Sequence, residues 1–197
     1  MIRAALAASL LAWPVAAQDA PRATLLADAP DTGFPSNFGG PYRLVDHHGR
    51  PRTEADPDGH LQLVFFGYAR CEAICTAALP LMSDLAATLA ADGVPVTPLV
   101  ITVDPEADTV EAMGPALDAF APGLTGLTGD PGELAHVRDL FHVQAELLFV
   151  DPLGTPVYSH GSHIYVMDGD GGFLTLLPPV LDPDRMAEIV RGYAERG

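Results

Sequence analysis

Leu61-Gln62-Leu63-Val64-Phe65-Phe66-Gly67-Tyr68-Ala69-Arg70-Cys71-Glu72-Ala73-Ile74-Cys75, continued by Thr76–Ala91, reads as a strand, a short loop and a helix. The run Leu61–Phe66 is apolar and of strand length, and the turn Asp56-Pro57-Asp58-Gly59 bounds it upstream. Such a run fits a buried strand, covered on both faces. Thr76–Ala91 places leucines at 79, 81, 85 and 89, the spacing of a helix that buries one face. Both cysteines of the chain lie in the loop between them.

The reading extends outward in both directions. Downstream, Val94–Val103 is the next strand, ended by Asp104-Pro105, and the connection through the helix is long enough to join parallel strands. Asp108–Phe120 reads as a helix with a break expected near Gly114-Pro115, and Leu124–Leu127 as a short strand. Asp130-Pro131-Gly132-Glu133 is an acidic helix start that opens the segment His136–His142. Glu146–Val150 precedes a turn at Asp151–Pro156. Ile164–Met167 and Phe173–Leu176 are strands joined by a hairpin turn at Asp168–Gly172, and a helix closes the chain over Pro183–Tyr193. Upstream, Pro41–Val45, the turn Asp46–Arg50 and a short return near Pro51–Thr53 predict an N-terminal β-hairpin. This order predicts an α/β fold, one domain over residues 34–197 with a central mixed sheet and flanking helices.

The first residues stand apart from that pattern. Arg3 supplies a short positive end, Ala4–Trp13 are mostly apolar, and Val15-Ala16-Ala17 offers small residues before Gln18. This is the architecture of an export signal, with cleavage expected after Ala17, and residues 18–33 read as a flexible lead-in. The expected location is therefore the periplasm of a Gram-negative bacterium, soluble after cleavage, with an uncleaved anchor facing the periplasm as the alternative. Outside the cytoplasm a thiol pair tends to be oxidised unless a metal or a reductant holds it open.

Charge narrows the partners. Ten basic residues, all arginine, face 26 acidic ones for a formal net charge of −16. That surface excludes nucleic acid and anionic lipid as natural partners and favours basic protein surfaces.

Cys71 and Cys75 stand four apart at a strand-to-helix junction, so a helical turn over Glu72–Cys75 would bring both sulfurs to one side. Backbone N–H groups at the helix start, with Arg70, are expected to lower both thiol pKa values. Thiolates select Cu(I), and imidazole suits either copper oxidation state. Tyr158-Ser159-His160-Gly161-Ser162-His163 offers imidazoles ahead of the strand Ile164–Met167. His160 is the preferred third ligand and His163 the competitor. His47 and His48 read as surface residues of the hairpin turn, and His60, His136 and His142 as solvated or locally satisfied. Met82, Met113, Met167 and Met186 fit packing rather than ligation. A closed zinc site would want four good ligands, and only two sulfurs exist.

The chain resembles the Sco/SenC copper chaperones over roughly Phe38–Tyr193. The pieces are Gly39–Leu44 with Asp46 and Gly49, then Val64–Tyr68 leading into Cys71–Cys75. They continue with Ile101–Glu106 followed by Asp108-Thr109, and His160 five residues before Tyr165–Asp168. The resemblance implies a thioredoxin-like fold and one copper ion, Cu(I) or Cu(II), per chain. It also implies delivery to the dinuclear copper centre of cytochrome c oxidase subunit II. It assigns Cys71, Cys75 and His160 as copper ligands and puts Asp104 near the site, supporting the loop or a partner contact. His163 falls where the family shows a non-ligating residue and is the candidate for auxiliary metal binding. A copper donor and a thiol reductant are the further partners implied, with the chain expected to act as a monomer. Three positions depart from the family pattern: Glu72 and Thr76 replace the prolines that usually follow each cysteine, and Ser159 replaces an aspartate.

The resemblance describes a chaperone rather than an enzyme. The competing reading is a thiol:disulfide oxidoreductase that reduces the cysteines of the copper-accepting protein; a thiol peroxidase is a weaker third. Against a general reductase, the pair has three intervening residues rather than two. The segment before Ile164 also carries His160 and Ser162 where such enzymes dock substrate with a proline.

Overall fold

The computed structural model describes residues 37–119, 121–152 and 154–196. The expected signal at 1–17 and the lead-in at 18–33 lie outside them. The elements run β1 (Leu44–Asp46), β2 (Pro51–Arg52), β3 (Leu61–Gly67), α1 (Cys75–Ala91), β4 (Val96–Thr102), α2 (Val110–Asp118) and β5 (Thr125–Thr128). They continue with α3 (Pro131–Leu140), β6 (Glu146–Val150), β7 (Pro156–Ser159), β8 (Ile164–Met167), β9 (Phe173–Leu177) and α4 (Pro183–Ala194).

Seven strands form one mixed sheet in the order β2-β1-β5-β4-β3-β8-β9. β3 pairs parallel with β4 along its whole length, from Leu61↔Val96 to Gly67↔Thr102, and β4 pairs parallel with β5. On its other side β3 pairs antiparallel with β8, through Val64↔Tyr165. The interior position of β3 explains its nearly unbroken apolar text, in which the buried Gln62 donates its amide to the Glu54 and Asp168 carbonyls. Leu63, Phe65 and Phe66 are completely buried, and burying each such side chain contributes about 1.5–3 kcal/mol. Alternation sends Leu63 and Phe65 to one face and Phe66 to the other. Phe66 packs on Phe141 and Tyr165, whereas Phe65 lies edge-on to His160. The parallel β3–α1–β4 unit therefore delivers the C-terminal end of β3, and the loop after it, to one edge of the sheet.

Three details differ from the sequence reading. α2 runs without a break through Gly114 and Pro115. Thr109 caps it by accepting from the Ala112 N–H, and Gly114 leaves room for the His47 ring, which a Cβ would meet at 3.2 Å. His47 is accordingly no free surface residue, since its Nδ1 accepts from the Gly126 N–H at 2.9 Å. The third difference is a second sheet. Pro156–Ser159 is a strand, not merely the far side of a turn, and it pairs antiparallel with β6 through Leu147↔Tyr158 and Phe149↔Val157. A bulge at Leu148 separates those two pairs. Among the described residues no helix is long and apolar enough to cross a membrane.

Candidate metal centre

Cys71 and Cys75 reach the site by different local rules. Cys71 lies in the turn after β3, where its N–H donates to the Tyr68 carbonyl at 3.2 Å. Cys75 is the first residue of α1. Glu72–Ile74 is thus not the helical turn expected, yet the tight connection still converges the sulfurs. Asp108 fixes the loop from outside: its Oδ2 accepts from the Ala69 N–H at 3.0 Å and from the Thr102 hydroxyl at 2.7 Å. This buried carboxylate ties the cysteine loop to the end of β4.

His160 follows β7 and turns its ring into the sulfurs. Nε2 stands 3.6 Å from Cys75 Sγ and 3.9 Å from Cys71 Sγ. Its Nδ1 lies 3.0 Å from the Gly161 carbonyl oxygen. A carbonyl only accepts, so the proton of the neutral ring belongs on Nδ1 and the Nε2 lone pair faces the thiols, the tautomer a metal needs. The rings of Phe65 and Tyr68 stand edge-on to it at 5.8 and 5.9 Å. Tyr158 packs on Tyr68 at 5.4 Å and donates its hydroxyl to Asp104 Oδ1 at 3.2 Å.

The thiols are not equivalent. Cys71 is held down to about 4, first because the Cys75 S–H donates to it, then through the Ala73 and Cys75 N–H groups, all against the cost of burial. The same shared proton, and then burial, push Cys75 up. The sequence expectation that both thiols are lowered is therefore corrected: the pair shares one proton, and Cys71 is the thiolate. Arg70, expected to assist, is exposed, and its charge acts on Asp108. Burial pushes the Tyr68 phenol up to about 12, with the two sulfurs adding to the shift against a Tyr158 backbone hydrogen bond. Tyr68 stays protonated at neutral pH.

One ligand atom each from Cys71, Cys75 and His160 lie within 4.8 Å of one another. For metal bonds of about 2.3 Å to sulfur and about 2.0 Å to nitrogen, a trigonal ion needs S···N separations of about 3.7 Å, which the observed 3.6 and 3.9 Å bracket. Both cysteines are free and buried, and a cleft of about 450 Å³ lined by Arg70, Cys71, Glu72 and Thr155 gives Cys71 a route outward. His163 is exposed and stands outside this group. Asp104 is buried and also outside it, engaged with Tyr158. Gly67, Tyr68, Asp108 and Tyr158 shape the site without a ligand role assigned from sequence, although Gly67, Tyr68 and Asp108 belong to the segments that carry the family resemblance. A second group, Asp56, Asp58 and His60, sits near the opposite end of β3, where the Arg52 guanidinium approaches Asp56 at 3.6 Å and already supplies the positive charge.

The mixed sheet and the two-sulfur, one-imidazole set define a thioredoxin-like protein with a soft-metal ligand group. Residues 30–195 match the SCO1/SenC family model, and the chain belongs to that family. The mitochondrial SCO2 homologue of Danio rerio is 35% identical over 156 residues, which are 78% of this chain and 56% of that protein. The chain thus spans little more than half the length of the vertebrate relatives it matches. An SCO2-like protein of Rickettsia conorii is 30% identical over 155 residues, 78% of this chain and 76% of its own. Among solved structures, copper-bound ScoI of Bradyrhizobium japonicum superposes with a TM-score of 0.71 at 34% identity, covering 79% of this chain and 99% of that one. Copper-bound yeast Sco1 gives 0.73 at 27%, covering 81% and 89%.

Proposed function

We propose that this chain binds one copper ion through Cys71 Sγ, Cys75 Sγ and His160 Nε2 and delivers it to the dinuclear copper centre of cytochrome c oxidase subunit II. The observation that carries the reading is the convergence of two sulfurs and a correctly protonated imidazole at trigonal spacing. The copper-bound structures of similar fold support the choice of metal. Cargo must leave as well as bind. Three protein ligands leave a Cu(I) ion open to attack by an incoming ligand, and the cleft beside Cys71 admits one. Transfer then proceeds by stepwise replacement of Cys71, Cys75 and His160 by acceptor ligands. Oxidation of the two cysteines to a disulfide removes both sulfur donors, so copper loading and the disulfide exclude each other. The text of residues 1–17 supports a periplasmic location, where an acceptor domain of that kind is exposed.

A second reading rests on two free cysteines, Cys71 and Cys75, that converge on one imidazole, the Cys71 thiol held low and the Cys75 thiol pushed up. It suits attack by Cys71 on a disulfide of the acceptor and resolution by Cys75, leaving the acceptor reduced and this pair oxidised. Anaerobic Cu(I) titration with X-ray absorption separates the two. The expected result is one ion per chain in a shell of two sulfurs and one nitrogen. His160→Ala should lose the nitrogen and weaken affinity by roughly 10-fold or more, since even losing a group that only orients a ligand costs roughly 10–100-fold. No tight site, together with ready cycling of the cysteine disulfide, would overturn delivery in favour of thiol exchange.

A further inference from the structure

Tyr68 touches each member of the metal group through a different part of itself. It is the first residue after β3 and is only 2% exposed. Its carbonyl accepts from the Cys71 N–H at 3.2 Å, and its own N–H donates to Cys75 Sγ. Its ring stands edge-on to His160, with centroids 5.9 Å apart and planes at 85°. Its phenol hydrogen-bonds the Cys71 sulfur and also bonds the Tyr158 backbone N–H. The Tyr158 ring, 5.4 Å away at 78°, holds that phenol in place.

The direction of the two phenol bonds follows from what each group can do. A phenol carries one O–H and acceptor lone pairs, whereas a backbone amide only donates. The Tyr158 N–H therefore takes a lone pair and leaves the single O–H for Cys71 Sγ. A thiol that ligates a metal has lost its proton, so in the loaded site the Cys75 S–H no longer donates to Cys71. The Tyr68 O–H stays, because it belongs to no ligand. Hydrogen bonds to a ligating sulfur withdraw electron density from it and tune the potential of the metal. The sulfur carries more negative charge on Cu(I) than on Cu(II), to which it gives up more of its density. The phenol bond is consequently stronger in the reduced state.

We infer that Tyr68 is a positioning residue that biases this site toward Cu(I), its hydroxyl donating to Cys71 Sγ while its ring edge steadies the imidazole of His160. The inference rests on the copper-binding reading and adds to it the oxidation state the surroundings favour and the residue responsible. Tyr68 acts through the ligands and does not itself bind the ion.

The test compares full chains of the wild type, Tyr68→Phe and Tyr158→Phe. Each is titrated with Cu(I) under anaerobic conditions and separately with Cu(II). The sulfur-to-Cu(II) charge-transfer band and the Cu(II)/Cu(I) midpoint are then recorded. Tyr68→Phe keeps the ring beside His160 and deletes only the O–H. Its Cu(I) affinity should fall about 10-fold or more, as when a group that hydrogen-bonds a ligand is removed, with a smaller fall for Cu(II). Each tenfold loss in the ratio of the two affinities lowers the midpoint by about 59 mV. The band should move to longer wavelength, because the sulfur becomes the stronger donor. Tyr158→Phe loosens the hairpin but keeps both the Tyr158 N–H and the Tyr68 phenol, so its band should hold the wild-type position. Equal midpoints and bands for Tyr68→Phe and wild type overturn the inference while leaving copper binding standing. A band shift of the same size in both variants also overturns it, since hairpin position would then set the electronics. So does a Tyr68→Phe chain that fails to fold where Tyr158→Phe folds, because Tyr68 would then serve the core. A wild type that holds neither Cu(I) nor Cu(II) would instead overturn the copper reading itself.

Discussion

His160 Nε2 stands 3.6 Å from Cys75 Sγ although 85 positions separate the two residues. Neither reaches the other by local geometry. Cys75 is placed by the start of α1, which the parallel β3–α1–β4 unit pins at the end of the sheet. His160 is placed by the step from β7 into β8, which pairs with the opposite side of β3. The site is therefore a tertiary object: β3 is the common support, and anything that shifts its C-terminal end moves sulfur and imidazole relative to one another.

The shared proton of the cysteines predicts selective chemistry in the reduced, metal-free protein. Cys71, held down to about 4, remains a thiolate through mildly acidic pH, whereas Cys75 remains protonated. Alkylation followed by peptide mass spectrometry should label Cys71 first, with a rate that changes little between about pH 6 and pH 8 because the thiolate fraction is already saturated. Cys75→Ala removes the S–H donor, so the Cys71 midpoint should move upward. Equal labelling of both cysteines, with a rate rising toward pH 9, would contradict the asymmetry.

Much of this arrangement was readable in the residues. The run Leu61–Phe66 and the leucine spacing of α1 determine the central unit because burial on both faces leaves a single polar position, Gln62, to confuse it. The cysteine pair announced itself by type and position. His160 was harder: nothing in the spacing separates it from His163, and the family resemblance made the choice. β7 was missed because Pro156-Val157-Tyr158-Ser159 is short, proline-led and paired only with β6. The inequality of the thiols was illegible since it depends on burial and on which sulfur faces the loop N–H groups. Pro115 looked like a helix breaker, yet α2 carries it without ending.

Gly67 should be intolerant of even one methyl group. A Cβ there would lie 3.0 Å from Cys75 Sγ and 3.1 Å from the Phe65 ring, both completely buried. Gly67→Ala is expected to cost about 1–3 kcal/mol and to weaken Cu(I) binding as the Cys75 sulfur is pushed from His160. Gly132→Ala is the control: it has open space around it and lies in α3, so thermal unfolding should stay unchanged or rise. Equal melting temperatures and equal copper affinity for Gly67→Ala and wild type would show that the sulfur has slack to spare.

Asp46 predicts an acid-sensitive component of stability. Burial alone would raise its pKa, but N–H donors from Arg50 and His48 and the Arg50 guanidinium together lower it from 3.8. A depressed carboxylate pKa contributes stability that is fully present above the unfolded value and is lost as pH falls through the folded value. Asp46→Asn should therefore be destabilised at neutral pH by about 1–3 kcal/mol. Its denaturation midpoint should converge on that of the wild type below about pH 4. A constant gap across that range would mean that the charge of Asp46 contributes nothing and only its shape matters.

The hydroxyl of Tyr158 joins the β6–β7 sheet to the segment after β4, through its 3.2 Å bond to the buried Asp104. Tyr158→Phe keeps the ring packed on Tyr68 and deletes only the donor. The loss should cost about 1–3 kcal/mol, because a buried carboxylate oxygen is left without that partner. The damage should be local. Amide exchange in β6 and β7 should accelerate, while β3 and β4 keep their protection because their ladder is untouched. His160 follows directly from β7, so the freed hairpin would also present its imidazole less firmly, and Cu(I) should dissociate faster from Tyr158→Phe than from the wild type. Unchanged exchange in β6 together with unchanged copper release would show that the hairpin is held by ring packing alone and that the Tyr158–Asp104 bond does not position the ligand.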